Sequence, residues 1–106
     1  QATSAREAET MIVEWSPEAL ERVTELAEWI ALNNEEAAVQ WVDAIFARVE
    51  KLSHSPKSGR MVPEEMRDEL REVIWKKYRI IYRLEDGQIN IVTVVHSRQN
   101  FDPDDI

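Results

Sequence analysis

Tyr78-Arg79-Ile80-Ile81-Tyr82-Arg83-Leu84-Glu85-Asp86-Gly87-Gln88-Ile89-Asn90-Ile91-Val92-Thr93-Val94-Val95-His96 is the stretch on which the fold turns. Its arms, 78–84 and 88–96, are crowded with the β-branched and aromatic side chains that fit a pleated surface. Asp86-Gly87 between them accepts the positive φ angles of a two-residue hairpin turn. With Glu85 opposite Gln88, pairing places Tyr78, Ile80, Tyr82 and Leu84 on one face with Val95, Thr93, Ile91 and Ile89. That face is expected to carry the helices. Arg79, Ile81, Arg83, Asn90, Val92, Val94 and His96 then share the other face, and Arg98 joins them if the strand runs on.

Upstream of the hairpin, Leu70 to Trp75 reads as a third strand, after the polar stretch 64–69. The segment from Ser53 to Pro63 reads as a loop, because Pro56, Gly59 and Pro63 interrupt regular structure. Before it lie two helices. Ser16-Pro17-Glu18 supplies an N-cap, a proline fit for the first helical position and an acid at the positive end of the dipole. Leu20, Val23, Ala27 and Ile30 then form an apolar stripe to about Leu32. Asn33-Asn34 closes that helix and caps the next, whose stripe is Ala38, Trp41, Val42, Ile45, Val49 and Leu52, ending near Ser53. Trp29 and Trp41 read as core aromatics between helices and sheet. Met11 precedes a short strand, Ile-Val-Glu-Trp. Read as the initiator, it leaves residues 1–10 as a leader or expression addition and residues 11–106 as one domain. The fold class is therefore α+β: an N-terminal strand, an antiparallel helical hairpin and a C-terminal three-stranded antiparallel sheet.

The 106 residues suit a single modest core, with 43% hydrophobic and 32% charged side chains. No apolar run approaches the roughly 18 residues of a spanning helix, so a cytoplasmic protein with no membrane role is expected. Cysteine is absent and there are two histidines. Disulfides and thiolate chemistry are thereby excluded, and no metal or cofactor is expected. The net charge of -8 argues against a nucleic-acid binder that works by bulk attraction. Residues 51–83, however, carry nine basic and five acidic side chains between two acidic segments. Either an acidic partner meets the chain between Lys51 and Arg83, or these bases balance the neighbouring acidic helices.

Two arrangements suit the face opposite the helices. In one, Ile81, Val92 and Val94 form an exposed apolar patch ringed by Arg79, His96 and Arg98, which marks a binding surface. In the other, residues 54–66 fold over that face and its arginines pair with Glu64, Glu65 or the acidic tail.

Residues 12–101 resemble the RelE/ParE superfamily of bacterial toxins from toxin-antitoxin pairs. The likeness is carried by the first strand, the α-hairpin and the loop Pro56-x-x-Gly59-Arg60-x-Val62-Pro63-Glu64. It continues through Leu70-Arg71-Glu72, Tyr78-Arg79-Ile80-Ile81-Tyr82-Arg83 and Val95-His96-Ser97-Arg98. RelE-like members cleave messenger RNA on the ribosome, and for them the resemblance implies a catalytic cluster of Arg71, Arg79, His96 and Arg98. An apolar residue near Val73 replaces a lysine of that site, and no tyrosine follows Arg98. The long hairpin, Ser16-Pro17-Glu18-Ala19 and Trp29-Ile30 are more similar to the ParE-like branch. For that branch no catalytic residue is assigned, and the resemblance implies a DNA gyrase inhibitor. Growth arrest, plasmid stabilisation and neutralisation by a ParD-like antitoxin encoded nearby go with it. A detoxified antitoxin-binding module is a third reading, compatible with a net charge that departs from the basic character usual in the family. The implied target-binding residues are Arg60, Arg79, Arg83, His96, Arg98 and Phe101. The implied antitoxin-binding residues are Trp15, Trp29, Ile81, Val92 and Val94. No sequence-specific contact with nucleic acid is expected.

Overall fold

The structure is a computed structural model, and it describes residues 11–97. Its elements are β1 (Ile12–Trp15), α1 (Pro17–Ala31), α2 (Glu35–Glu50) with one 3-10 turn after it (Lys51–Ser53), β2 (Arg60–Met61), β3 (Leu70–Trp75), β4 (Tyr78–Glu85) and β5 (Gln88–His96). The caps act where the sequence puts them. Ser16 Oγ accepts from the Ala19 amide at 3.0 Å, and Asn34 Oδ1 accepts from the Ala37 amide at 3.0 Å. Each satisfies a donor that the first helical turn leaves without an intrahelical partner.

The α+β architecture is as expected, but the sheet has five strands rather than three, in the order β1-β5-β4-β3-β2. β1 runs parallel to β5, with Val13 opposite Ile89, and β2 pairs antiparallel with β3 inside the segment read as a loop. Where β1 gives way to α1, the turn between them takes over the edge of β5. The Ser16 amide donates to Ile91 O at 3.1 Å and Ser16 Oγ donates to Val92 O at 3.0 Å. Farther along, Arg22 Nε reaches Val94 O at 3.4 Å. Ser16 and the α1 side chain Arg22 thus satisfy backbone that no strand covers.

The hairpin register holds near the turn and changes beyond it. Leu84 faces Ile89 and Tyr82 faces Ile91, as expected, but a bulge between Ile81 and Tyr82 then brings Ile81 opposite Thr93 and Tyr78 opposite His96. One extra residue on β5, Val92, reverses the facing of everything after it. Val94 and His96 therefore join the helix side, while Thr93 and Val95 turn to the other. The main core lies between helices and sheet and contains Val23, Trp41, Ile45, Ile80, Tyr82 and Val94. A smaller core on the opposite face joins Val62, Leu70, Ile81, Val92 and Val95.

Candidate functional site

The face opposite the helices takes the second of the two expected arrangements through the later part of the 54–66 segment: Val62 and Glu64 lie over it, while Pro56 and Gly59 meet Tyr82 on the helix side. Ile81 is fully buried and Val92 nearly so, because Val62 and Leu70 pack on them. The expected exposed patch is therefore closed, and Val94 is buried in the main core on the other side.

Gly59 fixes how close the loop comes. A Cβ there would stand 2.5 Å from Glu72 O and 2.6 Å from Tyr82 Oη, both far inside van der Waals contact, so only glycine fits without displacement. The Gly59 amide donates to Tyr82 Oη at 3.0 Å, and that hydroxyl donates to Pro56 O at 2.8 Å. Burial raises the Tyr82 pKa, against the opposing influence of the Gly59 hydrogen bond and the Arg71 charge.

Beside this stitch runs a chain of charges. The Glu72 carboxylate is wholly buried and accepts from Arg79 Nε at 2.6 Å and from Arg60 Nε at 2.6 Å. Arg79 also donates through Nη1 and Nη2 to the two oxygens of Glu64, at 2.9 and 2.8 Å. This fork-to-fork pairing belongs to the strong class of charge-assisted bonds. The Arg79 pKa is raised, first by its Glu64 hydrogen bonds and then by its bonds and attraction to Glu72, against the pull of desolvation. Within the basic segment, the arginines that are paired meet acids of the same segment and not the helices. Arg71 pairs with Asp68, and Arg67 lies within 3.5 Å of Glu65 and 3.3 Å of Glu69.

The sheet does not gather the expected basic cluster. Arg71 lies opposite Tyr82 on the helix side and sends Nη1 to Gly59 O at 2.8 Å. His96 is also on the helix side, edge-on to Tyr78 with ring centroids 5.8 Å apart. Arg79 is on the far side with Glu72 and Glu64. The convergence of Arg79 with His96 that an unbulged strand would give is therefore overturned by the extra residue. Arg60 is the exposed end of the charge chain. Arg83 is half-buried beside the start of α1, in a hollow it shares with Glu14, Trp15, Glu18 and Asn90. Arg98 and Phe101 lie outside the described residues.

A second surface lies on the helical hairpin. Trp41 is buried against Tyr78, as expected, whereas Trp29 is 72% exposed and is not a core residue. Trp15 is half-buried against Phe46, with centroids 4.6 Å apart. Between the helices runs a trough of about 540 Å³, walled by Leu20, Ala27 and Ala31 on α1 and by Val39, Val42 and Phe46 on α2. Leu20 and Val39 are 44% and 62% exposed. The signal for this trough is present in the sequence, since Val39 and Phe46 lie off the core stripe of α2 and make that helix apolar on more than one side. Glu64, Glu72 and Tyr82 offered a weaker signal, because each looks like an ordinary residue of an alternating strand or polar loop. Among the described residues no group of three or more acidic or histidine side chains is placed to hold a metal, and no helix is long and apolar enough to cross a membrane.

The fold is similar to that of solved toxin-antitoxin proteins. Against the chromosomal ParDE system of P. aeruginosa the TM-score is 0.71 at 19% identity, over 83% of this chain and 97% of that one. Against the RelBE2 toxin-antitoxin complex of Mycobacterium tuberculosis it is 0.54 at 20% identity, over 82% of this chain and 98% of that one. These likenesses define the class as the RelE/ParE fold. The model of the ParE toxin of type II toxin-antitoxin systems matches residues 13–101. The chain belongs to that family and is a ParE-like toxin of a type II toxin-antitoxin system. Comparison with curated proteins gives no match.

Proposed function

We propose that the chain acts by binding, as an inhibitor of DNA gyrase that is neutralised by a ParD-like antitoxin encoded nearby. The observation that carries this reading is the dispersal of the basic residues a nuclease would need. Arg71 and His96 are on one side of the sheet, while Arg79 is on the other, engaged by two carboxylates. A phosphoryl-transfer site requires its charges to converge on one developing anion, and carboxylates already on the guanidinium compete with that anion. Growth arrest and stabilisation of a plasmid carrying the pair follow from such an activity. The antitoxin is placed on the helical hairpin, where the trough and exposed Trp29 offer apolar area to a partner that folds as it binds.

Inducing the chain alone in bacteria and pulse-labelling DNA and protein synthesis within minutes tests the target. DNA synthesis is expected to fail first, with DNA breaks. Protein synthesis failing first would replace this reading with a ribosomal nuclease, and no effect on either would leave a detoxified antitoxin-binding module.

A further inference from the structure

We infer that the hollow between the α1–α2 turn and the end of the sheet is a binding site for a nucleoside monophosphate, a planar base joined to a single phosphate. The hollow has a volume of about 510 Å³ and is lined by Trp29, Asn33 and Asn34 from the hairpin and by Lys77, Tyr78 and His96 from the sheet. That size is ordinary for a small-molecule site. It shares no lining residue with the trough between the helices, so the inference stands apart from both the antitoxin and the gyrase readings.

The base follows from the aromatic rings and the amides. Trp29 is 72% exposed, and its ring has no aromatic partner among the described residues, so a wide π face is available for stacking. Tyr78 supplies a fixed wall. Trp41 meets it edge-on at 5.1 Å, Trp75 is stacked at 6.4 Å and His96 is edge-on at 5.8 Å. Asn34 Oδ1 is taken by the Ala37 amide, which leaves the Asn34 Nδ2 hydrogens and the side-chain amide of Asn33 to meet donors and acceptors on the edge of a base. A purely apolar occupant would strip water from both amides without replacing it.

The phosphate follows from the charges. Glu28, Glu35 and Asp43 line the trough, and Glu14 and Glu18 line the hollow at the start of α1, whereas the hollow at Trp29 has no acid in its lining. In a chain of net charge -8 it is the one of these three where an anion meets a cation and no carboxylate. Lys77 is exposed, makes no ion pair with a described residue, and has its backbone tied to the end of β5 by the Ser97 amide, which donates to Lys77 O at 2.6 Å. One ammonium matches one phosphate. A polynucleotide would bring more negative charge than Lys77 can meet against the repulsion of the whole chain.

Adenosine monophosphate, adenosine and ribose 5-phosphate, titrated into the full chain in about 50 mM salt and followed through its amide and indole N–H signals by NMR, test the site. Adenosine monophosphate is expected to move the Trp29 indole and the Lys77 amide with a Kd below about 1 mM, to leave the Trp15 indole still, and to bind at least about fivefold more tightly than either fragment. Trp29→Ala should weaken adenosine monophosphate roughly tenfold through the lost stack. Lys77→Gln should weaken it too while leaving adenosine unchanged, and Lys51→Gln, which removes the same charge outside the hollow, should match the parent. All three side chains are exposed, so unshifted signals across the sheet will show that the fold is kept. No shift at about 10 mM adenosine monophosphate, or shifts that avoid Trp29 and Lys77, would overturn the inference. So would ribose 5-phosphate binding as well as the nucleotide, or equal effects of Lys77→Gln and Lys51→Gln, since either would leave only an unspecific anion contact. Tighter binding of an adenine-only DNA decamer would replace the mononucleotide by a single strand, and tighter binding of acetyl-Trp-Asp-amide would replace it by an acidic peptide.

Discussion

Tyr82 shows how much a single oxygen can hold. Its hydroxyl donates to Pro56 O and accepts from the Gly59 amide, joining the loop to the middle of the sheet from a fully buried position. Tyr82→Phe keeps the ring in the core but leaves the half-buried Pro56 carbonyl and the buried Gly59 amide without that partner, and a loss of about 1–3 kcal/mol is expected at neutral pH. The raised pKa adds a dependence on pH that the variant lacks. The fold favours the neutral phenol, so the hydroxyl's contribution is complete below the unfolded value of about 10 and is lost as pH rises through the higher folded value. Urea unfolding of the parent and of Tyr82→Phe is therefore expected to show a gap that is constant to about pH 9 and narrows above pH 10. A gap unchanged at pH 11 would mean that the phenol does not titrate against folding.

The strands β3 and β4 carry the other lock, in which Glu72 stands between Arg79 and Arg60. Removing one member of a buried ion pair leaves an uncompensated charge, which typically costs about 3–5 kcal/mol, whereas replacing both by apolar groups of similar size is often neutral. Glu72→Ala is thus expected to lose about that much, a large share of the roughly 5–15 kcal/mol that holds an ordinary domain together. The double replacement Glu72→Met with Arg79→Met should be more stable than either single change. Chemical denaturation checks both, and Glu72→Ala unfolding at the parent's midpoint would rule out this role for the carboxylate. The same coupling means that lost toxicity in Arg79→Ala would report on folding before it reported on chemistry. The local elements were legible in the sequence because local signals set them: Ser16 and Asn34 as caps, Asp86-Gly87 as a turn, and β-branched runs as strands. What was hidden depended on distant partners. Val92 is one more β-branched residue in a strand, and nothing in its neighbours marks it as the bulge that carries Val94 and His96 to the helix side. The parallel pairing of β1 with β5 joins residues some 76 positions apart, a contact that no local period encodes. Of the candidate site, the loop cover and the Glu64 pairing were legible only as one of two options, since choosing between them required the register beyond the bulge.

At the scale of the whole molecule the charges are sorted rather than merely unbalanced. The segment 51–83 looks basic in the sequence, yet Arg60, Arg67, Arg71 and Arg79 are paired with acids of that same segment, and Lys57 lies 3.9 Å from Asp68. The helices meanwhile carry Glu28, Glu35 and Asp43 exposed along the trough. Neither surface provides the continuous basic stripe that displaces counterions from a phosphate backbone, and the net charge of -8 repels a polyanion at a distance. On the proposed gyrase reading, such a chain has to find the enzyme through protein contacts, with DNA held by the enzyme and not by the inhibitor. The purified chain is therefore expected to leave duplex DNA unshifted in electrophoresis at about 50 mM salt, even at about 10 μM protein, where proteins with a basic footprint bind without regard to sequence. The charge reversal E28K/E35K/D43K should acquire little DNA affinity, because three cations on one short trough release few counterions. Binding by the parent chain tighter than about 1 μM, falling steeply with added salt, would mean that the basic segment meets phosphate, with the ion pairs of Arg60, Arg67, Arg71 and Arg79 opened to release their charge.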